Sequence, residues 1–303
     1  MANFPNMTLV QFLQRDPDPF QHYHRDQSDS TTSNARYQIA AVRNILPWPE
    51  FSLGHIVNQF GALLNNVQVA GDAHPITPPP FFAAEDYLRE IISIYADRPV
   101  RRALTQTFQH LARAPGNQMR GRTPITLGSG SLAKLIDKYA PDRAFYEVPA
   151  EESINRLPGE IKPSWKWQSA WHRDGNPFIR ARVAARLAQL SYYMLQQGHG
   201  EPHSGARYGY MLTDRELVAF RKDDTRGSVY MSQPIPWRGE PEDGTPRLTV
   251  LLGLWYLGML ASSDNGWTLQ QQPGDPTDEQ LMISQSQGTS GNNAASSSTL
   301  PQR

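Results

Sequence analysis

Apolar residues recur at steps of three and four through Phe178–Gln197. Ile179, Val183, Leu187, Leu190 and Met194 form one stripe there, which predicts the clearest helix of the chain. The same spacing predicts helices over Phe51–Leu64, Tyr87–Ala96 and Val100–Ala112. A shorter helix is predicted over Ser131–Tyr139, with Ser129 or Ser131 as its cap. Leu248–Ala261 is apolar on every side. Its 14 positions include a Thr and two Gly, which suits a helix buried in a core and not a membrane span. Strands are predicted at Asp142–Val148, at Glu160–Lys162 (closed by Pro163) and at Val229–Trp237. Tyr208–Thr213 and Leu217–Arg221 read as a hairpin turning through Asp214–Arg215. Helices, two strands, a helix, further strands and a final helix make an α+β or mixed α/β core.

The two ends differ from this middle in composition. Asp16–Asn34 is rich in Asp, His, Ser, Thr and Gln, and residues 1–36 read as a mobile N-terminal arm. Gln270–Arg303 is Gln, Ser, Asn, Gly and Pro with few apolar residues, so 269–303 reads as a disordered tail. Residues 37–268 form the predicted domain, with a helical extension before the break at Thr77–Pro80. The chain has no cysteine, which removes disulfide scaffolds, thiolate metal sites and Cys nucleophiles. Lys+Arg and Asp+Glu are equal at 29 each, so net charge alone points to no partner. The first residues lack a basic start followed by a long apolar run. Together with the absence of a membrane span, this makes an intracellular location, cytoplasmic or nuclear, the expectation.

The candidate chemistry lies where two strands are predicted side by side. Pro141–Asp142 opens one strand, and Glu160 and Lys162 stand two apart on the next. Residues two apart on a strand point to the same face, so Glu160 and Lys162 share one cleft while Ile161 turns into the core. A carboxylate from each of two strands is a hard-oxygen site suited to Mg²⁺ or Mn²⁺. A lysine beside it can hold a phosphate or polarise an attacking water, as metal-assisted phosphodiester hydrolysis requires. With five lysines and 29 acids an acid-x-Lys tripeptide also arises by chance, and a solvated surface ion pair is the plain alternative. Gln189 and Tyr193, four apart, add a polar face to the following helix. Gly128–Ser129–Gly130 lacks the Lys-Ser/Thr of a phosphate loop, and no G-x-S-x-G elbow is present.

Pro-Asp, then Glu-x-Lys, then Gln-x-x-x-Tyr on the next helix resembles the PD-(D/E)XK nuclease superfamily, closest to its RecB-like and lambda-exonuclease-like branch. RLPGEIKPSWKW, ARYGYMLTDRELVAFRK, PIPW and LTVLLGLWYLGMLA are similar to a group of fungal hypothetical proteins with a PD-(D/E)XK nuclease-like domain, over about residues 85–265. The resemblance implies a restriction-endonuclease-like core, a mixed sheet flanked by helices. It implies that Asp142 and Glu160 bind metal, that Lys162 assists catalysis, and that Gln189 and Tyr193 support the site or contact the nucleic acid. It also implies an acid on the first core helix, for which Glu85 and Glu90 both stand open. The family includes degenerate modules, so a non-catalytic protein- or nucleic-acid-binding module is the alternative to a metal-dependent nuclease.

Local charge favours a polyanion. From Glu160 to Arg186 there are six cations (Lys162, Lys166, Arg173, Arg180, Arg182, Arg186) against two acids, with Trp165, Trp167 and Trp171 between them. Lys166, Arg180, Arg182 and Arg186 are the expected nucleic-acid contacts, and the tryptophans the candidate stacking platforms. The plain reading is that the arginines solubilise a helix face and the tryptophans pack under a loop. Arg180 and Arg182 cannot share a helix face, whereas Arg182 and Arg186 can.

Overall fold

The computed structural model describes residues 5–21, 37, 40, 42–71, 81–116, 118–133, 140–148, 153–195, 204–223, 227–238 and 243–270. The strands are β1 (Asn6–Thr8), β2 (Asn44–Pro47), β3 (Gln68–Ala70), β4 (Ile125–Ser129), β5 (Arg143–Glu147), β6 (Asn155–Ile161), β7 (Ser204–Ala206), β8 (Tyr208–Leu212), β9 (Glu216–Arg221), β10 (Ser228–Met231), β11 (Ile235–Pro236) and β12 (Thr268–Gln270). The helices are α1 (Leu9–Leu13), α2 (Leu53–Asn66), α3 (Glu85–Ile92), α4 (Arg98–Arg113), α5 (Pro177–Leu195) and α6 (Val250–Ala261). Eight strands form one mixed sheet in the order β2-β10-β9-β8-β6-β5-β4, with β11 also paired to β9. The β2–β10 and β6–β8 pairs are parallel, and the rest are antiparallel. This is the mixed α/β architecture that the pattern predicts.

The alternation of side chains sorts the core into two layers. Tyr210 and Leu212 of β8, with Leu217 and Ala219 of β9, join one layer under α6. The intervening Met211, Val218 and Phe220 join the other, where Val183, Leu187, Leu190 and Met194 of α5 pack. The α5 stripe therefore faces the sheet as its spacing predicts. Helix α6 is buried on nearly all sides because α1 and α4 cover the flanks that the sheet leaves open. Among the described residues no helix is long and apolar enough to cross a membrane.

Helix α3 runs into α4 through a π-helical turn at Ser93–Asp97. Pro99 has no N–H to give to the turn before it, so a regular α ladder cannot continue there. Asp97, at the end of that turn, is buried and ion-paired with Arg143 of β5 at 2.5 Å. Arg143 also donates to the carbonyls of Arg89 (2.7 Å) and Asp142 (3.0 Å). One guanidinium thus fixes the start of β5 against α3. At Gly159, the partner of Arg143 across β6, a Cβ would lie 2.1 Å from the Tyr210 ring, so only glycine lets that ring cross the strand.

Four expectations need correction. The N-terminal segment is not an arm in its described part: Leu9, Phe12, Leu13 and Phe20 belong to the main core, and Asp16 is fully buried. Its polar composition misleads because Asp16 serves a backbone need, accepting from Val250 and Leu251 N–H at 2.9 and 3.1 Å at the start of α6. Residues 22–36 lie outside the described residues. In place of a helix over Ser131–Tyr139 there is a 3₁₀ turn at Gly130–Leu132 followed by extended Ala133, and 134–139 lie outside the described residues. The strand predicted at Val229–Trp237 is two strands, β10 and β11, parted at Ser232–Pro234, where proline cannot donate to a ladder. At the other end, 268–270 form β12 against β7, and the rest of the predicted tail, 271–303, lies outside the described residues.

Burial pushes Asp16 up to about 7, outweighing its two backbone hydrogen bonds and Arg247. Asp16→Ala leaves two N–H groups at the start of α6 without their acceptor. It should cost about 2 kcal/mol, read by urea denaturation. Because the folded protein holds the Asp16 proton to higher pH than the unfolded chain, this residue makes wild-type stability fall as pH rises from about 4 to about 7. That part of the slope should vanish in Asp16→Asn.

Candidate active site

The sheet brings Asp142, Glu160 and Lys162 to one end of β5 and β6. Arg143 pairs with Gly159 in the antiparallel β5–β6 ladder, so Asp142, one residue earlier, falls beside Glu160. Asp142 Oδ2 accepts from the Ile161 N–H at 2.9 Å, which locks the carboxylate onto the strand. Ile161 is fully buried in the main core, as strand parity predicts. Lys162 N donates to Leu212 O at 3.0 Å, so the extended backbone continues one residue past β6 and Lys162 returns to the face of Glu160.

Three carboxylates gather around the Lys162 ammonium. Its Nζ lies 2.7 Å from Glu160 Oε2, 3.2 Å from Glu85 Oε1 and 3.3 Å from Asp142 Oδ2. The acid supplied by the first helix is therefore Glu85, at the first turn of α3, where the helix N-terminus favours negative charge. Glu90 is exposed farther along the same helix. Lys166 Nζ meets Glu85 Oε2 at 3.0 Å. It is placed by the turn after β6, where Asp214 accepts from Ser164 N (2.6 Å) and Ser164 Oγ (2.8 Å). Burial raises Glu85, but the charges of Lys162, Lys166 and Arg89 outweigh it and hold the carboxyl below its ordinary value. Glu160 goes the other way: burial, then the charge of Asp142, push it to about 7 against the pull of Lys162. Burial alone would lower Lys162, and the three carboxylates reverse that and hold it above the usual lysine range.

Sequence reasoning does not find Arg89. Its Nε is 2.8 Å from Asp142 Oδ1, and its terminal nitrogens reach Glu85 and Asp86, each at 2.5 Å. The spacing of Glu85, Asp86 and Arg89 makes the helix pairs legible, but only the fold adds Asp142.

Gln189 and Tyr193 form a chain of polar contacts on α5. Arg186 donates to Gln189 Oε1 (3.3 Å), Gln189 Nε2 donates to Tyr193 OH (3.2 Å), and Tyr193 OH meets Tyr37 OH (3.1 Å). Tyr193 is buried against Tyr37 and Tyr192. Burial, and next the charge of Glu160, hold its phenol above the usual range. Tyr193 thus lies within the electrostatic reach of Glu160, although among the described contacts no hydrogen bond joins it or Gln189 to the carboxylates.

The expected nucleic-acid contacts are more committed than their spacing suggests. Arg180 donates to the carbonyls of Asp174 and Gly175 (2.6 and 2.9 Å), and Arg182 to Trp165 O (3.0 Å) with its guanidinium over Trp171. Arg186 is only 7% exposed, which corrects the expectation that it offers a phosphate contact from the helix surface. Trp167 is fully buried against Phe220 and cannot be a stacking platform, while Trp165 stacks on Phe82 with ring centroids 5.6 Å apart.

No protein-family model matches the chain, and no curated protein or solved structure matches it significantly. Among the described residues no group of three or more His, Asp or Glu has an arrangement able to hold a metal ion. A two-carboxylate site still suits Mg²⁺, which is commonly bound through one or two carboxylates plus water and substrate oxygens. Asp142 and Glu160 each present an oxygen with the right chemistry. Glu160 Oε2 is buried and accepts no hydrogen bond of normal geometry, its contact with Lys162 being close but bent. Among the described residues, Asp142 Oδ1 is met by the bent approach of Arg89 Nε. Such oxygens fit a hard cation.

Lys162 is 4% exposed, so its removal is not neutral for the fold, contrary to what a solvent-lined cleft would imply. Lys162→Ala leaves three converging carboxylates without their shared cation. It should destabilise the protein by about 3 kcal/mol at pH 8. The deficit should shrink toward pH 5, as protonation relieves the repulsion. Thermal melts across that range provide the check.

Proposed function

We propose that the protein is a divalent-metal-dependent nuclease with a restriction-endonuclease-like core, acting inside the cell on the phosphodiester bonds of DNA or RNA. The observation that carries this reading is the meeting of Asp142 and Glu160, from neighbouring strands, with Glu85, from a flanking helix, on one buried lysine. The resemblance of Pro-Asp, Glu-x-Lys and Gln-x-x-x-Tyr to the PD-(D/E)XK superfamily supports it. In this reading Asp142 and Glu160 hold Mg²⁺ or Mn²⁺. Bound there, the cation would supply a Lewis acid for the phosphoryl oxygen and a lowered pKa for the attacking water. Lys162 places a fixed positive charge beside the reacting phosphate and can orient the water through its ammonium hydrogens. Gln189 and Tyr193 support the site from α5, as the resemblance implies. Lys166, Arg180 and Arg182 supply cationic character along the approach.

A second reading has its own support. The site carboxylates all stand next to cations, and the α5 arginines donate to backbone or side-chain acceptors, which suits a nuclease-derived module that binds without cleaving. Purified protein incubated with labelled single- and double-stranded DNA and RNA separates the two. The nuclease reading expects product with Mg²⁺ or Mn²⁺, none with EDTA, and at least a hundredfold loss in Asp142→Asn and Glu160→Gln, roughly what loss of a catalytic metal ligand removes. Absence of metal-dependent product on every substrate, from protein whose fold is confirmed, favours the binding module.

A further inference from the structure

We propose that Arg89 is a resident counter-ion that occupies the site carboxylates before metal arrives and leaves them when metal loads, swinging outward onto Asp86; this rests on the nuclease reading of the site. The two oxygens of Asp142 are used differently. Oδ2 is bound to the strand through Ile161 N–H and faces Lys162, whereas Oδ1 faces Arg89 Nε at 2.8 Å. That contact is an ion pair without hydrogen-bond geometry, so charge and not a directed hydrogen bond holds the guanidinium over Oδ1. Oδ1 is thus the oxygen that can pass from a protein cation to a metal ion without disturbing the strand.

Of the three described cations in the cluster, Arg89 has the most exposed side chain. The side chain of Lys162 is 6% exposed, with carboxylates on several sides. The Lys166 side chain is 21% exposed and pairs with Glu85, with no exposed acid beside it among the described ion pairs to receive it. The Arg89 side chain is 32% exposed, and its outer nitrogen already touches Asp86, whose side chain is 93% exposed. Moving outward exchanges Asp142 and Glu85 for Asp86 and water, so no charge is left buried without a partner. With Arg89 turned away, Asp142 Oδ1 and the buried Glu160 Oε2 are the oxygens left to a divalent cation, and a bound dication itself favours the ionised form of Glu160.

The test is direct Mn²⁺ binding to the full chain, followed by electron paramagnetic resonance of the free ion and by calorimetry, without nucleic acid. Arg89→Gln removes the competitor, and its Mn²⁺ dissociation constant should fall by roughly threefold or more. Asp86→Asn removes the outer partner and should raise the constant by roughly twofold or more. Glu90→Gln, which removes an exposed acid elsewhere on the helix, should change it little. Weaker or unchanged binding in Arg89→Gln, with the wild type still binding, overturns the proposal and leaves the metal-site reading standing. If Arg89→Gln does not fold, Asp86→Asn decides, because an effect no larger than that of Glu90→Gln overturns the proposal. If neither wild type nor Arg89→Gln binds Mn²⁺, the metal-dependent reading fails and the proposal falls with it.

Discussion

One buried ammonium sets the terms for everything around it. Glu85, Asp142 and Glu160 come from a helix and two strands, and their charges would drive those elements apart. Lys162 makes their convergence tolerable by standing among them. The arrangement is still a costly one: Glu160 is pushed toward neutrality by burial and by Asp142, and part of the remaining charge is met by Arg89 and Lys166. A cluster that needs several surrounding cations is poor material for stability, since apolar side chains of similar size would generally serve the fold as well or better. Its position, at the ends of adjoining strands beside a helix N-terminus, suits chemistry on an anion.

The rest of the fold holds this end of the sheet in place. Arg143 ties β5 to α3 by reaching Asp97, the carbonyl of Arg89 and the carbonyl of Asp142. The π-helical turn before Pro99 carries Asp97 and joins α4 to α3, the helix that bears Glu85. Asp214 pins the turn after β6 and so places Lys166. On the far side of the sheet α6 fills the core, started by Thr249 and by a carboxylate from the N-terminal segment. Core and site therefore share supports, and the buried acids Asp16, Asp97 and Glu160 all pull stability in the same direction with pH.

Much of this was legible from the chain where local physics decides. Helical periodicity located α2, α4 and α5, uniform apolarity marked α6, and strand parity put Glu160 and Lys162 on one face with Ile161 inward. Most of the misses share a cause, a dependence on partners far away in sequence. Asp16 looks like a solvent residue until α6 offers its N–H groups 234 positions later. Glu85 and Glu90 are equivalent until the packing of α3 is fixed. Arg89 looks like an ordinary helix-surface arginine until Asp142 arrives from β5. Arg186 sits at surface spacing yet is covered, and Trp167 lies in a cationic stretch yet fills the second core layer. The short strands β2 and β4 carry too few alternating residues to announce themselves.

The central claim is that the Lys162 cluster is a cation site on which phosphodiester chemistry can be done. A crystal structure of the full chain soaked with Mn²⁺ and recorded at an anomalous wavelength tests it most directly. The account predicts a single strong anomalous peak at coordination distance, about 2.1 Å, from one oxygen each of Asp142 and Glu160, with Lys162 still in the site and Arg89 turned toward Asp86. A map with no peak there, and with Lys162 and Arg89 still covering the carboxylates at saturating Mn²⁺, would contradict it.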